Sequence, residues 1–459
     1  MKITVLNGSP KGSTSVTMQY VHFIQKKFPQ HELKIHNISQ QIKTFEKDAK
    51  VFQEVLEEIR SSDGVLWAFP LYYFTVASQY KRFIELIFER KAEEAFRNRF
   101  AAVLTTSIHF FDHTAHNYLR AICDDLGMKY VGSFSADMYD LLSEKSRTQL
   151  ILFAENLFRA IEKRIPTSKA NFPIIHTPFS YVPSPAPTKL DAGGKKIVII
   201  GDEDLHETNL HKMVERFRNS FAQEIQTVHL TGVDIKGGCL GCIQCGYDNT
   251  CVYTGKDGFI DFFNSKVKPA DILVFAGTIR DRYLSSRWKM FFDRSFFNTH
   301  TPYLAEKQVA FIISGPLGQI SNLRQILEAY TQLHQAHLVD IVTDESADSG
   351  LLDGQLQQLA EALIWSAEKR SMKPATFLGI GGRKVFRDDI WARLRFPFRA
   401  DHEHYKEHGL YDFPQKDYRA RITSTILLLL TRIPRMRKEI YSRSKNEMIK
   451  PLQKVVRDA

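Results

Sequence analysis

The sequence predicts two doubly wound α/β units in tandem, each built on a parallel five-stranded sheet, followed by a helical, basic C-terminal extension. Three observations carry this prediction. Short apolar runs alternate with longer segments of helical apolar spacing through residues 1–165. The same alternation begins again at residue 195 and runs to 372. Between the two lies a stretch holding Pro166, Pro173, Pro178, Pro183, Pro185 and Pro187 and closed by Gly193 and Gly194, a composition that cannot hold a helix and reads as a linker.

In the first unit, strands are expected at residues 3–6, 33–36, 65–69, 101–105 and 129–134, with helices at 16–28, 45–59, 77–88, 113–126 and 144–161. Strands that alternate with helices in this way form a parallel sheet covered on both faces. In the second unit the strands are expected at 196–200, 226–230, 272–275, 309–313 and 338–342. Its helices are expected at 210–221, 259–265, 285–292, 323–333 and 356–368. The shared element order reads as an internal duplication. The domains are therefore 1–165, a linker 166–194, 195–372 and an extension 373–459. The extension reads as irregular at first, then helical over 422–433 and 440–456 with an interruption at Pro434.

A chain of 459 residues with 43% hydrophobic and 25% charged residues is ordinary for a protein that buries large cores. The net charge of +10 is uneven, since Ile380 onward holds 19 Lys and Arg against 10 Asp and Glu, a net +9. A basic tail on a neutral body points away from nucleic acid, which would call for a broad basic surface. A solvated basic helix is the ordinary reading of that tail, and weak contact with an anionic membrane surface through residues 426–430 and Arg432, Arg435, Arg437 and Lys438 is the other. The opening residues show no signal-peptide pattern, and the apolar run 426–430 is too short to span a bilayer, so a soluble, cytoplasmic protein is expected.

Two loops of the first unit suit a phosphorylated ring compound. Strand one leads into Asn7-Gly8-Ser9-Pro10-Lys11-Gly12-Ser13-Thr14-Ser15 and then a helix. A helix N-terminus offers unpaired N–H groups and a positive dipole end to an anion, the glycines let the backbone close around it, and the hydroxyls add neutral donors. Neither a Walker loop nor a Gly-x-Gly-x-x-Gly fingerprint is present. After strand three comes Pro70-Leu71-Tyr72-Tyr73-Phe74-Thr75, a proline-fixed aromatic wall for a flat ring, and after strand four Thr106, Ser107 and His109 supply polar groups. In a doubly wound sheet these loops lie side by side at the strand ends, and together they would hold FMN. Asp112 with His113 and His116 could suggest a metal, but capping by Asp112 is the simpler reading. No nucleophile triad or paired-carboxylate site is evident, so no catalytic residue is assigned.

Residues 8–14 and 70–84 resemble the NAD(P)H-dependent FMN reductase family, a flavodoxin-like group. Lys11 stands where that family has Arg, Ser13-Thr14 where it has Asn-Thr, and Leu71 where it has Val. The resemblance implies a flavodoxin-like fold, FMN as cofactor and NAD(P)H as electron donor.

The corresponding first loop of the second unit, residues 201–209, carries Asp202, Glu203, Asp204 and Glu207 and would repel a phosphate. Its second loop has lost the proline and most of the aromatic surface, so the flavin site there is expected to be degenerate. What this unit gains is Cys239-Leu-Gly-Cys242-Ile-Gln-Cys245 followed by Cys251. The spacing suits a [4Fe–4S] cube; zinc and an empty loop are the alternatives. The motif and its place after strand two, with Val252 and Asp257, resemble the iron–sulfur flavoproteins, which implies FMN beside a [4Fe–4S] cluster and work as oligomers. The expected function is FMN-dependent electron transfer between reduced nicotinamide or ferredoxin, FMN and the cluster, with small-molecule or protein partners as donor and acceptor and a homo-oligomer as its assembly. A clusterless NAD(P)H-dependent quinone or nitro-compound reductase is one alternative, and a non-catalytic electron carrier or scaffold the other.

Overall fold

Alternate residues of β1 (Lys2–Asn7) face opposite sides, and both sides are buried, which fixes β1 as an inner strand. The computed structural model describes residues 1–202, 207–412 and 417–458. In the first half β1 is followed by α1 (Val16–Lys27), β2 (Glu32–His36), α2 (Ile38–Lys47), α3 (Ala49–Ser61), β3 (Gly64–Pro70), α4 (Ser78–Glu89), β4 (Phe100–Ser107), α5 (Asp112–Asp125), β5 (Lys129–Asp137) and α6 (Glu144–Glu162). The strands are parallel in the order β2-β1-β3-β4-β5. The sequence predicts one helix over 45–59. Two form instead, because the Asp48 carboxylate accepts the N–H groups of Lys50 and Val51 and so starts α3 afresh.

The second half repeats the plan. It comprises β6 (Ile197–Gly201), α7 (Asn209–Arg218), β7 (Gln226–His229), α8 (Phe259–Phe262, continued by a π turn over Phe263–Val267), β8 (Ile272–Thr278), α9 (Ser286–Ser295), β9 (Gln308–Ser314), α10 (Ser321–Leu333), β10 (His337–Thr343) and α11 (Ser349–Lys369). Its sheet is also parallel, in the order β7-β6-β8-β9-β10. The fold is thus two flavodoxin-type sheets, as the element order predicts.

The halves are joined by more than a linker. Ile3, Val5, Leu66 and Leu104 face α1 and α6 on the outer side of the first sheet, and Ile199, Val274 and Ile312 face α7 and α11 on the outer side of the second. The inner faces of both sheets share one continuous apolar core, running from Trp67 and Phe69 through Phe83 and Phe291 to Phe275 and Phe311. Within it α4 packs on α9 and α5 on α10. Each helix meets its counterpart, an isologous arrangement inside one chain. The proline-rich segment is extended and held down. Asp124 accepts the N–H groups of Ala170 and Asn171, and the Tyr181 N–H donates to Asn209.

One compact unit therefore runs Met1–His404 and a second Tyr405–Ala459. The first unit takes in α12 (Phe377–Ala392), a helix where the sequence reads as irregular. Glycines weaken helix propensity, yet here they permit close packing. A Cβ on Gly379 would lie 2.9 Å from that of Gln332, and one on Gly382 3.0 Å from Phe110 and Phe111. The chain continues through α13 (Arg399–Glu407), α14 (Tyr418–Leu430) and α15 (Pro434–Asp458). Among the described residues no helix is long and apolar enough to cross a membrane.

Candidate functional site

The loop after β1 is shaped by its neighbours. The Gly8 N–H donates to the Ala68 carbonyl, and a Cβ on Gly8 would sit 2.7 Å from Phe69 Cβ. Asn7 Oδ1 accepts the Ser9 N–H and Ser9 Oγ accepts the Lys11 N–H at 3.2 Å. Ser15 Oγ caps α1 by accepting the Met18 N–H at 3.2 Å. The first-turn N–H groups of α1 have no intrahelical acceptor, so the loop closes on a donor-rich helix end.

The aromatic loop after β3 is a tight turn. Tyr72 and Thr75 exchange both backbone hydrogen bonds at 2.9 Å, while Tyr73 and Phe74 adopt φ of 34° and 71°. Positive φ is costly for such side chains, about 1–3 kcal/mol each, and partners on other elements hold it. Lys289 Nζ donates to the Tyr72 carbonyl at 3.1 Å, Thr114 Oγ1 donates to the Phe74 carbonyl, and the Tyr73 hydroxyl bonds His334 Nε2. In the third loop Thr106 Oγ1 meets Thr17 Oγ1 at 2.7 Å, and Ser107 Oγ accepts the His109 N–H. His109 bonds Asp112 at 2.9 Å, which raises the imidazole above its ordinary value. Burial alone would push Asp112 up, but the bonds from His109 and Ser135 hold it well below the usual carboxylate range.

The cysteine loop of the second half lies against the first half. Gln79 Nε2, at the start of α4, donates to the Cys239 carbonyl at 3.1 Å. A Cβ on Gly238 would fall 2.3 Å from Ser78 Oγ, and one on Gly241, whose φ is +64°, 1.8 Å from the Tyr72 hydroxyl. From behind, buried Arg294 pairs with Asp257 at 2.8 and 3.0 Å and donates to the Gly237 carbonyl. Burial pushes the Cys239 thiol up to about 12 and raises Cys245 as well, so both stay protonated unless a cation draws the proton off.

These loops meet in one cavity of about 480 Å³, within the ~300–1,000 Å³ usual for ligand sites. Its wall contains Ser9, Lys11, Ser15, Pro70, Leu71, Tyr72, Tyr73, Thr106 and Ser107, together with Cys239, Cys242, Cys245 and Cys251. Pro10 faces a neighbouring cleft beside Gln40 and Arg82. Ser13, Thr14 and His109 are exposed, and Phe74 is buried in the core. The hydroxyls and helix end at one side and the apolar wall at the other match the donor set of a phosphorylated flat ring.

The four cysteines line the cavity, but among the described residues no three His, Cys, Asp or Glu ligands converge as one metal ion would need. A single zinc ion with Zn–S bonds of ~2.3 Å requires closely gathered sulfurs; a cube is bulkier and holds its ligands farther apart.

Sequence reasoning missed more than half of the wall. Met138 and Tyr139 after β5 line it, as do Arg294 in the last turn of α9, Phe296 and His300 beyond that helix, and Phe386 of α12. Periodicity cannot show that the second half leans over the first. In the equivalent corner of the second half the described residues bond to one another. Asp344 accepts from Ser314 Oγ, the Gly315 N–H and Asn209 Nδ2. Of the acidic loop 201–209, Glu203, Asp204, Leu205 and His206 lie outside the described residues.

The family model of NADPH-dependent FMN reductases matches residues 1–139, the segment that builds the three first-half loops. Among solved structures the chain is similar to the apo form of the NADH:FMN oxidoreductase EMOB, with 18% identity over 35% of this chain and 89% of that one, at a TM-score of 0.30. FerB, a flavoenzyme NAD(P)H:(acceptor) oxidoreductase from Paracoccus denitrificans, shares 18% identity over 35% of this chain and 97% of its own, at a TM-score of 0.30. An FMN-dependent NADH-azoreductase from Bacillus anthracis in complex with FMN shares 15% identity over 36% and 98%, at a TM-score of 0.27. No curated relative matches the sequence.

Proposed function

We propose that the chain is an FMN-dependent oxidoreductase that takes electrons from reduced nicotinamide or ferredoxin and passes them to an acceptor in the shared cavity. The observation that carries this reading is that the phosphate loop, the aromatic loop and all four clustered cysteines line one cavity. Ser9, Ser15 and the start of α1 would hold the phosphate, and Leu71, Tyr72 and Tyr73 would wall the ring. Bound there, FMN supplies hydride and single-electron chemistry, and the protein positions it and tunes its potential. Lys289 and His334 hold the aromatic loop in its strained turn, and the aromatic walls limit water.

Cys239, Cys242, Cys245 and Cys251 are the proposed ligands of a [4Fe–4S] cluster. In the iron–sulfur flavoproteins that this sequence resembles, one subunit's cluster can lie near another subunit's FMN. Here the isologous pairing of the halves supports the same approach within one chain, so a homo-oligomer is not needed to bring the two groups together. The second reading, a clusterless NAD(P)H-dependent quinone or nitro-compound reductase, draws on the raised Cys239 and Cys245 thiols.

Anaerobic purification followed by flavin, iron and sulfide analysis tests both. The expected result is one FMN with four irons and four sulfides per chain. Flavin without iron selects the reductase, and a protein that neither retains nor rebinds FMN overturns the proposal.

A further inference from the structure

The C-terminal unit, Tyr405–Ala459, carries apolar surface that the described residues leave uncovered. α14 is 13 residues long and buries none of them. Ile422, Ile426 and Leu429 recur at the i, i+4, i+7 spacing of one helix face. They are 62%, 52% and 54% exposed, and Leu428 beside them is 68% exposed. A helix this short is marginal in water on its own, and packing of an apolar face is what ordinarily holds one. α15 repeats the plan. Met448, Leu452 and Val455 form a stripe at the same spacing and are 76%, 63% and 68% exposed. Arg443, Lys450 and Arg457 fall on the opposite side of that helix.

The same segment is strongly basic. Residues 418–458 hold 11 Lys and Arg against 3 Asp and Glu, a net +8. Glu439 pairs with Arg443 at 2.7 Å and Glu447 with Lys450 at 2.9 Å, so among the described residues Arg432, Arg435, Arg437 and Lys438 are left without a carboxylate partner. These four stand in sequence between the two apolar stripes. A second copy of the chain laid on this face would set one basic segment against another, and like charges repel. Nucleic acid would match the cations and leave the leucines in water. The surface complementary to both features is apolar below and negative on top.

We infer that α14 and α15 form an in-plane anchor on a membrane surface that carries anionic phospholipids. The Ile422, Ile426 and Leu429 stripe and the Met448, Leu452 and Val455 stripe enter the boundary between headgroups and acyl chains, as the apolar face of a basic amphipathic helix does. Arg432, Arg435, Arg437 and Lys438 meet the lipid phosphates, which draw basic residues at short range. The helices lie on the bilayer and do not cross it. α14 is about 20 Å long at ~1.5 Å per residue, short of a hydrocarbon core of ~30 Å, and no described helix is long and apolar enough to span. The solvated basic helix that the charge run alone suggests accounts for the cations and leaves the two apolar stripes unexplained. The anchor is independent of the flavin reading, since none of its residues lines the flavin cavity.

The test is co-sedimentation of the full chain with vesicles of phosphatidylcholine alone, or of phosphatidylcholine with about one-third phosphatidylglycerol. At ~0.1 M salt the protein is expected to bind the mixed vesicles at least about tenfold more tightly than the neutral ones, and to lose most of that preference by ~0.5 M salt, as screening shortens the reach of the charges. Two double variants separate the parts of the anchor. Ile426→Asp with Leu429→Asp is expected to weaken binding to the mixed vesicles by about tenfold or more. Arg435→Glu with Arg437→Glu is expected to weaken it by a similar factor and to flatten its salt dependence. All four side chains are exposed, so neither change disturbs a core, and either variant decides the matter should the other fail to fold. No binding to the mixed vesicles, equal binding to both kinds, or wild-type binding by both variants overturns the inference. Dimers seen in sedimentation velocity without vesicle binding, and lost in the Ile426→Asp, Leu429→Asp protein, overturn it in favour of a second copy on this face.

Discussion

Asp293, near the end of α9, accepts the backbone N–H of Ser78 at the start of α4 at 2.7 Å. The mirror image also exists, since Glu85 of α4 accepts the backbone N–H of Ser286 at 2.6 Å. Each half therefore caps the other's helix. Each capping carboxylate also neutralises a buried lysine on its own helix, Lys289 for Asp293 and Lys81 for Glu85. Lys81 has a second carboxylate, Asp281, at 2.8 Å, whereas among the described residues Lys289 has only the Tyr72 carbonyl besides.

The two removals should therefore differ. Stripping one partner from a buried ion pair costs about 3–5 kcal/mol because a charge is left uncompensated. Asp293→Ala is expected to destabilise the protein by that amount and Glu85→Ala by clearly less, read from the urea midpoint of each variant. Equal losses would show that the spare carboxylate at Lys81 does not matter.

Gly241 tests the join between the cysteine loop and the aromatic loop. Its φ of +64° suits glycine, and a Cβ would overlap the Tyr72 hydroxyl. Gly241→Ala is expected to lift the loop and raise the rate at which Cys239 reacts with a thiol reagent severalfold, while Gly255→Ala, where no atom lies within 4 Å, leaves that rate within about twofold. Equal rates at Cys239 in both variants would mean that the two loops are not interlocked.

The anion loop can be tested without unfolding it. Aspartate caps a helix about as well as serine, so Ser15→Asp keeps the start of α1 while setting a negative charge in the cavity wall. At an effective dielectric of ~20, two charges ~4 Å apart repel by about 4 kcal/mol. FMN affinity, read from the quenching of flavin fluorescence, is expected to fall by more than about tenfold, and more at low salt. Unchanged affinity would place the phosphate elsewhere.

Much of this was legible in the sequence. Both sheets, and the loops at Ser9 and at Tyr72, follow from local pattern, because strands buried on both faces and glycine-rich turns leave a signature within a few residues. What the sequence does not show is long-range. Gly379 and Gly382 look like helix breakers until Gln332 and Phe110 are set against them. His300 looks like any loop histidine until Asp401, a hundred residues on, is placed beside it. Asp48 is the local exception. It is a capping residue inside an apparently continuous helix, and its two bonds decide the break.

His334 contributes to the acid limb of stability. Burial, with a smaller push from His300, brings its imidazole down to about 3 from an ordinary 6.5, so it stays neutral while bonding the Tyr73 hydroxyl. In the unfolded chain it takes a proton near 6.5. Between these values the unfolded state binds more protons, and stability falls as pH drops below 6.5 until the native imidazole also titrates. The slope is about 1.4 kcal/mol per pH unit, or roughly 2 kcal/mol lost at pH 5. Gln at this position can still accept from Tyr73 and does not titrate. His334→Gln is therefore expected to flatten the loss between pH 7.5 and pH 5 in urea unfolding by about that amount. An acid limb as steep in the variant as in the wild type would assign the loss to other groups and leave the Tyr73 turn independent of this ring.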